Sequence, residues 1–303
     1  MLLSKTAIDF LTQNYNYVWL KSKIKQAQNT KVSGSTLITG SSHALNGIYE
    51  PMWKNAINCS MHSQDIYYDF ACAKKIIDQN NCFDRCFIVL GYYISYQDLS
   101  LSTNWGKYIL ENVYSPVLND IHNWSEKIEP VIWKNFEALS EQEKINCEEA
   151  AEYMLKDKGY YNELNKRHSY FDLKGLTWSD LTEAQKDKLG KYRATEHNRN
   201  LLHVESFDEN KNILDEFVHY LYQNDVLPIF VIPPFTKEYC KYVDPKLKQD
   251  VLDMTDNLSD DVNYIDFNDN PDLFDDNDFM DTDHMTARGA AKMSLMLSNM
   301  FGF

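Results

Sequence analysis

Ser42, Asp281 and His284 are of the residue types, and at the kind of spacing, that could carry out covalent chemistry. Ser42 ends the stretch LITGSS (37–42), where a short apolar run meets a glycine and two serines, and Asp281 stands three residues ahead of His284 near the other end. A hydroxyl becomes a nucleophile when a base takes its proton and a carboxylate fixes that base's tautomer and stabilises its cation. An Asp-x-x-His turn supplies base and carboxylate from one loop. Taken alone, Ser42 reads first as a turn or N-cap residue, because serine favours both. The company of Asp281 and His284 sets a nucleophile beside that reading. Asp283 competes for the orienting role, but its adjacency to His284 places it less well than Asp281 to reach the ring nitrogen facing away from serine.

These residues need a scaffold that brings distant segments together. STLITG (35–40), CFIVLGYY (86–93) and VLPIFVIPP (226–234) are short apolar runs ended by glycine or proline, and they predict buried strands; NYIDF (263–267) is a shorter candidate for a fourth. Between the first two, after the apolar piece AINCS (56–60), Ile66, Phe70, Ala73, Ile76 and Ile77 recur at helical spacing. Ile213, Leu214, Phe217 and Leu221 do the same ahead of the strand at 226, and a last helix is expected from near Thr286. Strand, helix, strand implies a parallel sheet with right-handed crossovers. The middle, about 101–205, is polar and rich in Trp, Tyr, Lys and Glu. With capping-box patterns at Ser140/Glu143 and Thr182/Gln185, it reads as a helical insertion in a single domain spanning 1–303.

Bulk properties narrow the function. The chain has 303 residues, 44% apolar and 14% aromatic, enough to bury a sizeable core, and its formal charge of −15 excludes a nucleic-acid backbone or anionic membrane as the main partner. No apolar run reaches the roughly 20 residues a membrane span needs, and the first residues lack the pattern of a secretory leader, so a soluble, cytoplasmic protein is expected. The six cysteines, at 59, 72, 82, 86, 147 and 240, have no zinc-like paired spacing and are expected to be reduced thiols. The acidic stretch at 266–283 lacks the spacing of a calcium loop and reads as a solvated acidic loop. No metal and no cofactor is expected.

Four blocks in sequence order are similar to those of the SGNH/GDSL hydrolases: Gly40, Ser41 and Ser42 at a strand end; NCSMHS (58–63); LGYY (90–93); and Asp281 with His284 before the last helix. The GSSH variant, with YQDLS (96–100) and IPPFTKEY (232–239), resembles the polysaccharide-modifying branch that includes D-alanyl transfer and O-acetyl transfer proteins. The resemblance covers about 30–100 and 205–303. It implies a three-layer α/β/α, flavodoxin-like fold, with Ser42 as nucleophile, His284 as general base and Asp281 as its orienting partner. Ser41 replaces the usual Asp before the nucleophile. In the oxyanion hole the resemblance places the backbone N–H of Ser42 and of Ser63, which stands where the family has glycine, and Tyr93 replaces the family's Asn donor.

The implied activity is that of a serine acyl-ester hydrolase acting on a carbohydrate or related ester. The alternatives left open are an O-acyltransferase for a surface polysaccharide and a non-catalytic carbohydrate-binding scaffold. His43, Gln64, Tyr92, Arg193 and His197 are the candidates for lining the substrate site. His43 and His62 flank the first two blocks; either could line the pocket, but each reads first as a partly buried, satisfied histidine. RATEHNRN (193–200) is the one notably basic patch; it would hold a substrate anion if folded over the site, and otherwise is an exposed helix end. The aromatic residues of the middle segment read as packing or as a sugar platform.

Overall fold

Strands buried on both faces need apolar residues at successive positions, and three runs here meet that demand. The computed structural model describes residues 5, 14–30, 32–102, 104–124, 137–147, 170–256, 258 and 263–302. Its strands are β1 (Ser35–Gly40), β2 (Ala56–Asn58), β3 (Phe83–Val89), β4 (Leu227–Ile232) and β5 (Asn263–Asp266). They form a five-stranded sheet in the order β2-β1-β3-β4-β5, with every pairing parallel. The order reverses between β1 and β3, and in such sheets the crevice outside the strand carboxyl ends at that point is where ligands bind.

The helices that cover the sheet are α1 (Tyr15–Asn29), α2 (Ser42–Gly47), α3 (Ile66–Gln79), α4 (Glu183–Asn198), α5 (Val204–Gln223), α6 (Pro245–Asp256) and α7 (Ala287–Phe301). Side chains alternate across the strands. Leu37, Cys86, Ile88, Phe230 and Ile232 pack with Leu20, Ile76, Phe217 and Val251 of α1, α3, α5 and α6 on one face. Ile38, Phe87, Val89, Ile229 and Val231 pack with Met293 and Leu297 of α7, and with Trp53 and Trp178, on the other. The architecture is a three-layer α/β/α fold, and each fully buried Leu, Ile or Phe contributes roughly 1.5–3 kcal/mol relative to exposure.

Strand boundaries differ from the sequence reading in instructive ways. β3 starts at Phe83 and stops at Val89; the Leu90 amide makes a last bond to the Val231 carbonyl, and residues 91–93 leave the sheet instead of extending it. The turn there is closed by the Ile94 amide donating to the Gly91 carbonyl. β4 ends before Pro233 and Pro234, which have no N–H to give a ladder. AINCS supplies β2, a three-residue edge strand. α1 was not anticipated, and α5 begins at Val204, several residues ahead of its apolar spacing.

In the middle segment, Ile109, Leu110, Val113 and Tyr114 join the first core. Both expected capping boxes are present, at Ser140/Glu143 and at Thr182/Gln185, the latter opening α4. The rest of the helix expected after Ser140 falls in 148–169, outside the described residues. The six cysteines are free thiols, with Cys59, Cys72, Cys86 and Cys147 buried. Among the described residues no helix is long and apolar enough to cross a membrane.

Candidate active site

The chain turns sharply out of β1 into α2, and Gly40 makes the turn possible. Its φ is +138°, and a Cβ there would lie 2.5 Å from the Val89 carbonyl oxygen and 2.8 Å from the Ala44 Cβ, so a side chain is excluded on two counts. Ser41 is the N-cap of α2, its hydroxyl accepting from the His43 amide, and Ser42 is the first helical residue. This places Ser42 at the carboxyl edge of the sheet beside the strand-order reversal.

His284 arrives from a loop of 242 residues' sequence separation, and its Nε2 lies 2.8 Å from the Ser42 hydroxyl. Its Nδ1 lies 3.1 Å from both Asp281 oxygens. A carboxylate only accepts, so Nδ1 carries the hydrogen and Nε2 is free to take one from serine. Asp281 is itself fixed by donors: the amides of Asp283 and His284 reach Oδ1 at 3.1 and 2.9 Å, and the Tyr170 amide reaches Oδ2 at 2.6 Å. Burial pulls the His284 ring toward the neutral form, but Asp281 and Asp283 outweigh it and raise the pKa above the usual histidine value. Thr236 anchors the loop from the side, donating from its amide and its hydroxyl to the Thr282 carbonyl.

A second Ser-His-Asp chain lies directly against the first. The His43 Nε2–H donates to Asp283 Oδ2 at 3.1 Å, leaving Nδ1 to accept from the Ser41 hydroxyl at 3.3 Å. The His43 and His284 rings stack, with centroids 5.2 Å apart and planes 24° from parallel. Exposure separates the two serines: Ser42 keeps 9% of its surface and Ser41 1%. Burial lowers the His43 pKa more than Asp283 raises it, so this ring stays neutral. For Asp283 burial acts upward, but Arg193, His284 and His43 outweigh it and hold the carboxyl well below the usual range.

Arg193 comes from α4. Its Nε donates to Asp283 at 3.1 and 3.0 Å, its Nη2 lies 3.0 Å from Oδ2, and its guanidinium stacks over the Tyr170 ring at 3.9 Å. His197, one turn on, shares a proton with the Tyr239 hydroxyl at 2.7 Å and lies ring to ring with Tyr93 at 3.9 Å. α4 reaches the site because Gly190 lets it close on the turn Lys237–Cys240: a Cβ there would lie 2.6 Å from the Glu238 carbonyl carbon.

The site therefore gathers Ser42, His284, Asp281, His43, Arg193 and His197. Arg193 is not the free anion-binding cation expected from RATEHNRN, because Asp283 occupies its Nε and Nη2. Two other expected lining residues are committed elsewhere. Gln64 is fully buried, donating to Asp69 at 2.6 Å and accepting from Tyr114 at 2.8 Å. The Tyr92 hydroxyl donates to Asp266 at 2.7 Å. Tyr93 packs edge-on to His43 at 5.8 Å in the second network, and burial pushes its phenol up to about 12, so it remains protonated. Ser63 has φ +59°, the left-handed conformation that glycine adopts most readily, although the residue is serine. Asp283, Tyr170 and Gly190 were missed as site builders. In the sequence Asp283 stands only as a rival to Asp281, and no local signal marks the other two.

Among the described residues His43, Asp283 and His284 are the one group with donor atoms close enough, within 4.8 Å, to share a cation. Arg193 already sits 3.0 Å from Asp283, and both rings are engaged in hydrogen bonds, so this donor set does not fit a metal.

No protein-family model and no curated protein matches the chain. Among solved structures, one from Streptococcus pneumonia, provisionally described as a platelet activating factor, aligns over 98% of this chain and 99% of that one, at 9% identity and a TM-score of 0.44. At that level the likeness carries no argument about the site, and the fold stands on the strand order itself.

Proposed function

We propose that the protein is a serine-dependent acyl-ester hydrolase of the SGNH type, acting on an ester whose alcohol is a carbohydrate or related polyol. The observation that carries the reading is the unbroken chain from the Ser42 hydroxyl to His284 Nε2 at 2.8 Å, and from His284 Nδ1 to both oxygens of a fully buried Asp281 at 3.1 Å. The order of the four sequence blocks supports it independently.

In this mechanism Ser42 Oγ attacks the acyl carbon while His284 Nε2 takes the serine proton. The carbonyl π-electrons move to oxygen, and the resulting oxyanion is held by the backbone N–H groups of Ser42 and Ser63. The intermediate collapses, the C–O bond to the alcohol breaks, and His284 returns its proton to that alcohol. Water then repeats the sequence on the acyl-serine, with His284 again as base, and free acid leaves. Asp281 stays ionised throughout and keeps the imidazole in one tautomer. The carbohydrate assignment is supported by Tyr170 and Tyr192, half-exposed and joined through the Phe171 ring, with the Tyr170 amide on Asp281 and the Tyr170 face opposite Arg193 left for a ligand. Their flat faces and hydroxyls suit a sugar ring better than an alkyl chain.

The test is intact-mass analysis and peptide mapping after exposure to a fluorophosphonate probe. A single adduct on Ser42, absent in Ser42→Ala and strongly reduced in His284→Ala, is the expected result. A folded protein that takes no adduct would overturn covalent serine catalysis.

A further inference from the structure

The mechanism above leaves unused a buried arginine, a second carboxylate and a second histidine, all within one layer of the catalytic base. Asp283 Oδ1 lies 3.9 Å from His284 Nδ1, so the base faces two carboxylates rather than one. Two carboxylates around one imidazole would hold it protonated, and a protonated imidazole cannot take the serine proton. The geometry answers this. Arg193 lies along both oxygens of Asp283, Thr282 donates its hydroxyl to Oδ1 at 2.7 Å, and His43 donates to Oδ2.

We propose that Arg193 and Asp283, with the His43 ring stacked between helix α2 and the base, are positioning residues that leave one net negative charge beside His284, so that the cluster becomes neutral when His284 carries the serine proton. The proposal rests on the hydrolase reading of Ser42, His284 and Asp281, and deepens it. Two carboxylates and one guanidinium leave a single negative charge in the resting site. Proton transfer from Ser42 Oγ to His284 Nε2 cancels that charge on the cluster as the negative charge moves to the substrate oxygen. His43 contributes as an uncharged, oriented spacer: a cation at 5.2 Å would oppose the imidazolium.

The other titratable groups packed on this cluster do not spoil the balance. His197 on α4 is held well below the usual histidine value by burial and by Arg193. Tyr93 after β3 and Tyr239 on the turn Lys237–Cys240 are both raised by burial and stay uncharged. Asp281, Asp283 and Arg193 therefore hold the fixed charge. If Arg193 only docked α4, removing it would disturb packing but would not move the base in a direction opposite to removal of Asp283.

The experiment is a pH titration of the full chain by histidine-selective ¹⁵N NMR, with the His284 signals assigned by their loss in His284→Gln. Arg193→Met is expected to move the His284 midpoint upward by about one pH unit or more, and Asp283→Asn to move it downward by a similar amount. Arg193→Lys, which keeps the charge and loses the fork, is expected to stay near the native midpoint. Midpoints that do not move, or that move in the same direction in Arg193→Met and Asp283→Asn, overturn the proposal. Should Arg193→Met fail to fold, Arg193→Gln, which also removes the charge, takes its place against Asp283→Asn under the same criterion. Fluorophosphonate labelling keeps the two ideas apart. Labelling of Ser42 with unmoved midpoints overturns the charge arrangement alone, whereas opposed shifts without labelling overturn the hydrolase reading and leave the arrangement of charges standing.

Discussion

Asp281 shows how closely the site is specified at the level of single atoms. Its Oδ1 accepts from two loop amides and its Oδ2 from the Tyr170 amide, so all the lone pairs that do not face His284 are directed. Asp281→Asn would set an amide NH₂ against either the Tyr170 amide or the two loop amides, and in both orientations the NH₂ also reaches the His284 Nδ1 and can reverse its tautomer. We expect a fall in kcat of about 10²–10⁴ on 4-nitrophenyl acetate, with a loss of about 1–3 kcal/mol of stability from the buried donor left unpaired, measured by steady-state kinetics and a melt. A fall of less than tenfold would mean that Asp281 does not orient the base. Ser42, Asp281 and His284 are singled out through the resemblance of four sequence blocks; spacing alone puts only an Asp and a His in one loop, and the structure brings Ser42 to them across 242 positions. Arg193 and His197 drew attention as a basic patch, yet charge alone does not say whether a guanidinium meets a substrate or an aspartate 90 positions away. Gln64 and Tyr92 are sequence candidates for lining the site, but their polar atoms turn instead to Asp69 and Tyr114 and to Asp266.

At the scale of elements, the position of α4 decides whether the second network exists. Gly190 passes so close to Glu238 that its own helix backbone meets the neighbouring turn, and no flexible side chain is available to yield. Gly190→Leu should force α4 outward, costing about 1–3 kcal/mol of stability by overpacking and withdrawing Arg193 from Asp283. A lowered melting temperature together with an altered pH–rate profile is the expected pair of results; an unchanged profile would show that α4 can shift without disturbing the cluster. The sheet was legible where apolar runs were continuous, as in STLITG and LPIFVI. β2 has three residues, too few to show alternation, and Asp84 and Arg85 interrupt the apolar pattern at the open end of β3. α1 mixes Tyr, Trp and Lys so evenly that no stripe stands out in the sequence. Gly190 carries no signal at all, because a glycine within a polar helix looks the same whether it touches a neighbour or water.

Across the whole molecule, buried acids tie stability to pH. Asp65 caps α3, accepting from the Tyr68 amide at 3.0 Å and the Leu99 amide at 2.8 Å, and burial raises its pKa from the ordinary 3.8 to about 7. Between those values the folded chain holds a proton that the unfolded chain has released, so this group makes stability fall as pH rises through that window. Asp65→Asn should flatten the loss of urea midpoint between about pH 4 and 7, even if the missing acceptor lowers the midpoint overall. A slope identical to the native one would exclude Asp65 as its source. The contacts that build the site also have a kinetic meaning. Ser42 meets His284 across 242 positions, His43 meets Asp283 across 240, and Tyr170 meets Asp281 across 111. None of these pairs can form inside a local hairpin or a single helix, and contacts of such high sequence separation close late, after the loop entropy between them has been overcome. A partly folded chain that had recovered nearly all its helix would therefore still lack the site, and regain of activity on refolding would follow the slowest tertiary step rather than the return of secondary structure.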